Sequence, residues 1–319
     1  MNALDMKDRK ILLELDANRR QSAAQIGRNV GLSKEVVNYR MSNLVQKKIV
    51  RSFYSVLNTL ALGYAHYKLY FKFQNTTPSL EKEMLGFFFR HKRCIWLGSC
   101  SGNWDLAVSL LAESPREFAS LYRSIVNAYG NYVLEKNVLV IDKAPTFNRA
   151  YLGEKIVSRE FEYTLREEKV TLDDIDKNIL SLITVNSRVN VVALMEKLHL
   201  SKDVISYRIK KMQKSGIIQG FRTALNLEFL GVSYYKILFT FKNLTPEKEE
   251  AFIRVCRQSK RVVQYIKLIG NWDAEVEFEV SNDLMLRSLL LEIRSRFSDI
   301  IRNTEQLLVY EKKLNYYPF

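Results

Sequence analysis

The chain repeats itself, and the repeat limits what it can fold into. Leu32-Ser33-Lys34 recurs as Leu200-Ser201-Lys202, Tyr39-Arg40 as Tyr207-Arg208, and Gly102-Asn103-Trp104-Asp105 as Gly270-Asn271-Trp272-Asp273, always 168 positions on. Asp8, Ile11, Leu57-Asn58 and Leu62-Gly63 return at the same offset as Asp176, Ile179, Leu225-Asn226 and Leu230-Gly231. No gap is needed across about a hundred residues. Solenoid repeats run to roughly 20–50 residues. The unit here is therefore a duplicated module large enough to hold its own core. A chain carrying two copies can make internally the two-fold partnership that a homodimer makes from two chains.

Each copy opens with three helical patterns. Asp5 suits an N-cap before Ile11, Leu12 and Leu15, which lie at helical spacing. Ser22 with Gln25 reads as a capping box for a short second helix that Gly31 ends. Ser33 caps a third helix whose apolar side is Val36, Val37, Met41 and Leu44, and Val204, Ile205, Ile209 and Met212 repeat that side. Three short helices with a tight turn before the third predict a helix-turn-helix.

The period then changes. An extended segment from Ile49 to Leu62-Gly63 is followed by a strand from Tyr64 to Phe73 and a helix opened by Thr77-Pro78. A strand over Ile95–Cys100, a strand from Trp104 to Ala112, a helix from Ser114 to Tyr129 and a strand from Tyr132 to Ile141 complete the copy. The order β-α-β-β-α-β predicts a ferredoxin-like split βαβ. The expected fold class is α+β: two tandem copies of an N-terminal helix-turn-helix (winged-helix-like) domain plus a ferredoxin-like βαββαβ effector domain. The domains expected are 1–51, 52–142, 171–219 and 220–319, with 143–170 as connector.

Charge and cysteine usage narrow the function. Lys and Arg outnumber Asp and Glu 49 to 35, a net +14, which suits an anionic partner such as nucleic acid. Cys94, Cys100 and Cys256 are too poorly spaced for a disulfide framework or a zinc site, and His66, His91 and His199 form no ligand pair. The first twenty residues are rich in charge and no apolar run reaches the length of a membrane span. The expectation is a cytoplasmic protein with no membrane partner, no metal and no cofactor.

A helix-turn-helix followed by a βαββαβ domain resembles the leucine-responsive/asparagine (Lrp/AsnC) family of transcription regulators. The residues that carry the resemblance are Leu4-Asp5 with Asp8-Arg9-Lys10-Ile11-Leu12, the turn Gly31-Leu32-Ser33, the stretch Ser215 to Phe221, and the two Gly-Asn-Trp-Asp motifs. Two points depart from the family pattern. The unit is in tandem, and Lys48 stands where the family has the glycine that the second copy keeps as Gly216. A left-handed C-terminal position disfavours lysine, so either the position is strained or the helix ends differently there.

By position, the third helix is the recognition helix. The expected DNA-contacting residues are Ser33, Lys34, Asn38, Tyr39, Arg40, Asn43 and Lys47 in copy one, with Ser201, Lys202, Ser206, Tyr207, Arg208, Lys210 and Lys211 in copy two. Short polar side chains near the helix start suit base edges, and the cations suit phosphates. Arg40 and Arg208 fit equally well a structural role against the preceding helix, and Tyr39 and Tyr207 read as half-buried supports more than as base readers. Asn38 can take adenine bidentately whereas Ser206 is less selective, so the intrachain pseudo-dimer is expected to read two non-identical half-sites of double-stranded DNA.

The resemblance places the effector pocket, for an amino acid or another small molecule, beside Gly102, Asn103, Trp104, Asp105, Gly270, Asn271, Trp272 and Asp273. Glycine first also suits a two-residue type II′ turn with no ligand at all. The effector domains are expected to pack together within the chain, the helix-turn-helix units at two ends, and further copies can join by the same surface. A branch of the same fold resembles siroheme decarboxylases, which carry a histidine-rich strand before an asparagine-leucine-tryptophan stretch. Here that region reads Cys94-Ile95-Trp96-Leu97-Gly98-Ser99-Cys100, without histidine or cation, and no catalytic residue is expected. A third reading is an effector-domain interaction protein that binds no DNA, against which the charge of both recognition helices argues.

Overall fold

A computed structural model describes residues 4–17, 21–153 and 170–314. In copy one, helices α1 (Met6–Ala17), α2 (Ala23–Val30) and α3 (Lys34–Gln46) precede strands β1 (Val50–Leu57) and β2 (Ala65–Phe73). Helix α4 (Pro78–Arg90), strands β3 (Cys94–Gly102) and β4 (Leu106–Ala112), helix α5 (Pro115–Tyr129) and strand β5 (Val133–Lys143) follow. Copy two repeats the order as α6 (Asp174–Val185), α7 (Val191–Leu198), α8 (Lys202–Lys214), β6 (Ile218–Leu225), β7 (Ser233–Phe241), α9 (Pro246–Gln258), β8 (Val262–Ile269), β9 (Ala274–Val280), α10 (Asp283–Arg296) and β10 (Ile301–Leu314). Most of the connector expected at 143–170 lies outside the described residues.

The two four-stranded sheets join edge to edge. The strand order β10-β3-β4-β2-β5-β8-β9-β7 closes into one barrel, so neither copy keeps a free sheet edge. Both seams are antiparallel and related by the repeat: Val140 opposes Ile269, and Leu308 opposes Ser101. The barrel interior is shared by both copies, with Tyr70, Leu139, Leu238, Ile266 and Leu307 in one cluster. Outside it, Phe88, Leu121 and Ile125 of α4 and α5 cover one sheet, and Phe252, Leu286 and Ile293 of α9 and α10 cover the other.

Strands β1 and β6 form a separate antiparallel ribbon, Tyr54 opposite Arg222. Each helix-turn-helix core borrows from the other copy through it. Leu225 packs with Ile11, Leu12, Ile26, Val37 and Met41, while Leu57 and Tyr64 pack with Ile179, Leu180, Leu194, Ile205 and Ile209. Paired hydrogen bonds seal the exchange, Thr223 Oγ1 to Leu15 O at 3.2 Å and Ser55 Oγ to Ile183 O at 2.8 Å. The two helix-turn-helix units are therefore linked through one ribbon.

Within the expected connector, Ala144 to Leu152 forms an ordered strap. Phe147 N donates to Val263 O at 2.8 Å, and Leu152 enters the core of the first helix-turn-helix. Arg149 holds Asp16 (2.6 Å) and Glu279 (2.8 Å), all three buried, so the strap ties α1 to the barrel by charge. A second buried network sits inside the barrel. Glu275 accepts from Lys68 at 3.0 Å and from Lys236 and Tyr70, while Lys236 also reaches Glu277. The three inward glutamates Glu275, Glu277 and Glu279 all lie on β9, where β4 carries Ala107, Ser109 and Leu111. A pairing of two copies of the second module would face six glutamates with two lysines and two copies of Arg222. The charges therefore favour copy one against copy two.

Lys48 does take the left-handed conformation, φ 56°, as Gly216 does at 72°. His66 is buried against Thr59, and burial lowers its pKa to about 4. Between its ordinary value near 6.5 and 4, the unfolded chain takes up a proton that the folded chain refuses. Stability therefore falls as pH drops through that window, by at most about 3 kcal/mol from this group. Urea titrations at both ends of the window should show a smaller acid loss for His66→Gln than for the parent; equal losses would place the acid sensitivity elsewhere.

Candidate nucleic-acid interface

The recognition helices are built alike. Ser33 Oγ accepts Val36 N at 3.3 Å and Ser201 Oγ accepts Val204 N at 3.4 Å, so both helices start from a capping serine. Val37, Met41 and Leu44 bury one side of α3, and Ile205, Ile209 and Met212 bury the same side of α8. This buries the predicted stripe except at its first position, because Val36 and Val204 are each 39% exposed. Both sit in the first helical turn on the open side, where a methyl group can meet the 5-methyl of thymine. Their equal exposure in the two copies is a signal that helical periodicity alone hides.

Around them, Lys34, Glu35, Asn38 and Lys47 are exposed and Asn43 is half-buried; Lys202, Asp203, Lys210 and Lys211 are exposed and Ser206 is half-buried. Tyr39 and Tyr207 are 68% and 67% exposed. The expectation of half-buried supports is thus corrected: α1 and α6 are held by the arginine that follows each tyrosine, which leaves the rings in solvent. Two matched aromatic rings standing out beside lysines make a contact surface.

Arg40 and Arg208 are anchored. Arg40 Nη1 lies 2.6 Å from Asp5 and 2.8 Å from Asp8, and Arg208 Nη1 lies 2.6 Å from Asp173 and 3.0 Å from Asp176. Main-chain donation from Asp8, together with Arg40, holds the Asp5 carboxyl below its usual range, and Asp176 N with Arg208 does the same for Asp173. The pairs fix the recognition helix against the first helix in each copy. Of the expected contact set, these two face inward to α1 and α6, and the others stay on or beside the open face.

The Gly-Asn-Trp-Asp motifs do not form two-residue turns. Strand β4 begins at Leu106 and β9 at Ala274, two residues later than expected, and the aspartate before each strand is still tied by its main chain to both neighbours, Asp105 to Cys100 and Phe71 and Asp273 to Leu268 and Phe239. Gly102 (φ 128°) and Gly270 (φ 150°) make the bend, and a Cβ on Gly102 would come 2.6 Å from Gln306 O. Trp104 and Trp272 are buried, with ring centres 5.6 Å apart, and both indole N–H groups donate to Glu305 at 3.3 and 2.9 Å. Asn103 also reaches Glu305 at 3.1 Å, and Asn271 pairs with Asn137, the counterpart of Glu305. Asp105 accepts from Phe73 N at 2.7 Å and Asp273 from Phe241 N at 2.6 Å. The motifs clamp the two copies to each other, at the contact between effector domains that the family resemblance implies.

The remaining candidates are quiet. All three cysteines are buried, and burial pushes Cys94 to about 12 and Cys100 to about 11. No metal-holding group of His, Cys, Asp or Glu occurs among the described residues, and no described helix is long and apolar enough to cross a membrane.

A family model for winged helix-turn-helix DNA-binding domains matches residues 4–51 and 172–219. An uncharacterized HTH-type transcriptional regulator of Pyrococcus abyssi is 30% identical over 111 residues, 35% of this chain and 74% of the relative. The leucine-responsive regulatory protein of Haemophilus influenzae is 26% identical over 135 residues, 42% of this chain and 81% of the relative. Across the whole fold, the solved siroheme decarboxylase NirDL superposes with a TM-score of 0.64 at 14% identity, covering 98% of this chain and 94% of that one. With two winged helix-turn-helix units, each followed by a split βαβ domain, the chain belongs to the Lrp/AsnC family of transcription regulators as a tandem duplication of the family unit.

Proposed function

We propose that the chain is a sequence-specific, double-stranded DNA-binding transcription regulator that reads two non-identical half-sites as an intrachain pseudo-dimer. The observation that carries this is the paired open face. Lys34, Val36, Asn38 and Tyr39 on α3, and Lys202, Val204, Ser206 and Tyr207 on α8, stand on helices whose other sides are buried alike and whose domains share one ribbon. Bases are read by the short side chains and Tyr39 or Tyr207, and phosphates by Lys34, Lys47, Lys202, Lys210 and Lys211. Arg40 and Arg208 act through α1 and α6 by holding the helix at its angle.

Binding to duplex DNA should weaken steeply with salt. For six to ten phosphate contacts the loss is about 10³–10⁵-fold between about 50 and 200 mM. Selection from random duplexes should return a bipartite motif. No binding at low salt would remove the proposal.

The full-length likeness to a siroheme decarboxylase gives a second reading, an enzyme of the same fold. The cavity at the junction of ribbon and barrel measures about 200 Å³. Pockets for drug-sized ligands start at about 300 Å³, and a tetrapyrrole needs more. The cavity's histidine, His66, is held neutral and bonded to Thr59, so it does not serve as an acid at neutral pH. Both observations support a regulator over an enzyme.

A further inference from the structure

The recognition helices carry a matched apolar patch that the fold does not require. Val36 and Val204 each stand third after a capping serine and are equally exposed, 39%. The other serine-capped helices place an amide or a carboxylate there, Gln25 after Ser22 and Glu117 after Ser114. Such a residue suits the position because its side chain can reach back to the main-chain N–H of the cap. Valine forgoes that bond, and its β-branch lowers helix stability relative to alanine. Neither valine joins the apolar core of its domain. Both copies make the same locally unfavourable choice, on helices that differ nearby at Asn38 and Ser206.

A lone exposed valine is ordinary. Val45, 45% exposed in the last turn of α3, is one, and its counterpart is Gln213. Val36 differs in having a neighbour. Tyr39 lies three residues on, so its ring stands beside the valine on one side of the helix. Both line a groove with Leu4, which precedes α1, and with Asn43 and Lys47 further along α3. Val204 and Tyr207 repeat the spacing and the exposure.

We propose that each half-site contains a thymine whose 5-methyl group packs against the valine and the tyrosine, Val36 with Tyr39 in one and Val204 with Tyr207 in the other. The proposal rests on the DNA-reading function and adds the base that is read. A partner covering the patch must be apolar at that spot and anionic around it, because Lys34 and Lys202 stand exposed two residues before each valine. The major groove of duplex DNA has that character. Phosphates border it, and the thymine methyl is the apolar group on its base edges, where the other three bases present donors and acceptors. The half-sites then share the thymine and differ at the base that Asn38 or Ser206 meets.

The test starts from a duplex that the full chain selects from a random pool. Each thymine is replaced in turn by deoxyuridine, which keeps the base pair and its polar groups and removes only the methyl. Affinity is read by fluorescence anisotropy at fixed salt. One position in each half-site is expected to weaken binding about fourfold, the effect of burying one methyl-sized group. Both replacements together should weaken it about fifteenfold, since the two sites are far apart. In Val36→Ala the uracil effect should vanish at one of these positions and persist at the other, and Val204→Ala should show the reverse. Val45→Ala should leave both effects intact. A retained cooperative melt shows that each variant is folded. Uracil tolerated at every position overturns the proposal and leaves the DNA-reading function standing. So does a uracil effect that persists at both positions in Val36→Ala/Val204→Ala, since other side chains would then meet the methyl. No binding to any duplex overturns both the proposal and the function on which it rests.

Discussion

Replacing Glu275 by alanine is expected to destabilise the protein by about 3–5 kcal/mol, the range for removing one partner from a buried ion group. The side chain is fully buried and accepts from Lys68, Lys236 and Tyr70. Burial alone would raise its carboxyl, but Lys236 and Lys68 hold it at about 2. The stability it gives is therefore present above its ordinary value near 4.5 and is lost as pH falls from there toward 2. Alanine removes the one carboxylate that two buried lysines share and leaves Lys68, which has no second ion pair among the described residues, stranded beside Lys236. Trp96 sees both ammonium groups, at 4.8 and 4.2 Å, and this cation–π contact offsets only part of the cost. Equilibrium urea unfolding checks the figure. Lys68→Met added to Glu275→Ala should recover part of the loss, since it removes the stranded charge. A single-variant loss below about 1 kcal/mol would mean that water or repacking neutralises the site.

The duplication made much of this fold legible. The capping serines Ser22, Ser33 and Ser201 start helices as read, because an N-cap acts over three residues and needs no distant partner. The closure of the barrel was not legible. Its seams pair residues far apart in the chain, Leu308 with Ser101, and nothing local marks the edge of a sheet as due to be covered. The buried charges were hidden for a related reason. Ala274-Glu-Val-Glu-Phe-Glu-Val280 alternates like a strand with one face in water, yet every residue of it is buried, because the polar face lines a closed barrel. A clue was present, since a lysine in the middle of an apolar strand returns in both copies as Lys68 and Lys236. In the recognition helices, periodicity located the core at Val37, Met41 and Leu44. It could not tell that Arg40 would turn to Asp5 and Asp8 while Tyr39 stayed outside, because adjacent helical residues lie about 100° apart and either could have packed.

The two helices should contribute unequally to base reading, and single alanine variants will show it. Asn38→Ala is expected to cost about 1–3 kcal/mol of binding, confined to one half-site, since it removes a side chain able to take adenine with two hydrogen bonds. Ser206→Ala at the matching position should cost less and relax selectivity little, because a half-buried hydroxyl offers one donor that either base type can accept. Lys34→Ala and Lys202→Ala should instead weaken all duplexes alike and each lower the salt slope by about one. Arg40→Ala belongs to neither class. Its guanidinium is bound to Asp5 and Asp8, so its loss should lower the melting temperature and weaken DNA binding without changing the preferred bases. Binding of each variant to duplexes carrying substitutions in one half-site at a time separates these outcomes. Equal and interchangeable effects of Asn38→Ala and Ser206→Ala would mean that the two half-sites are read identically. The differences between the copies would then serve only the pairing of the modules, which the charges on β9 already specify.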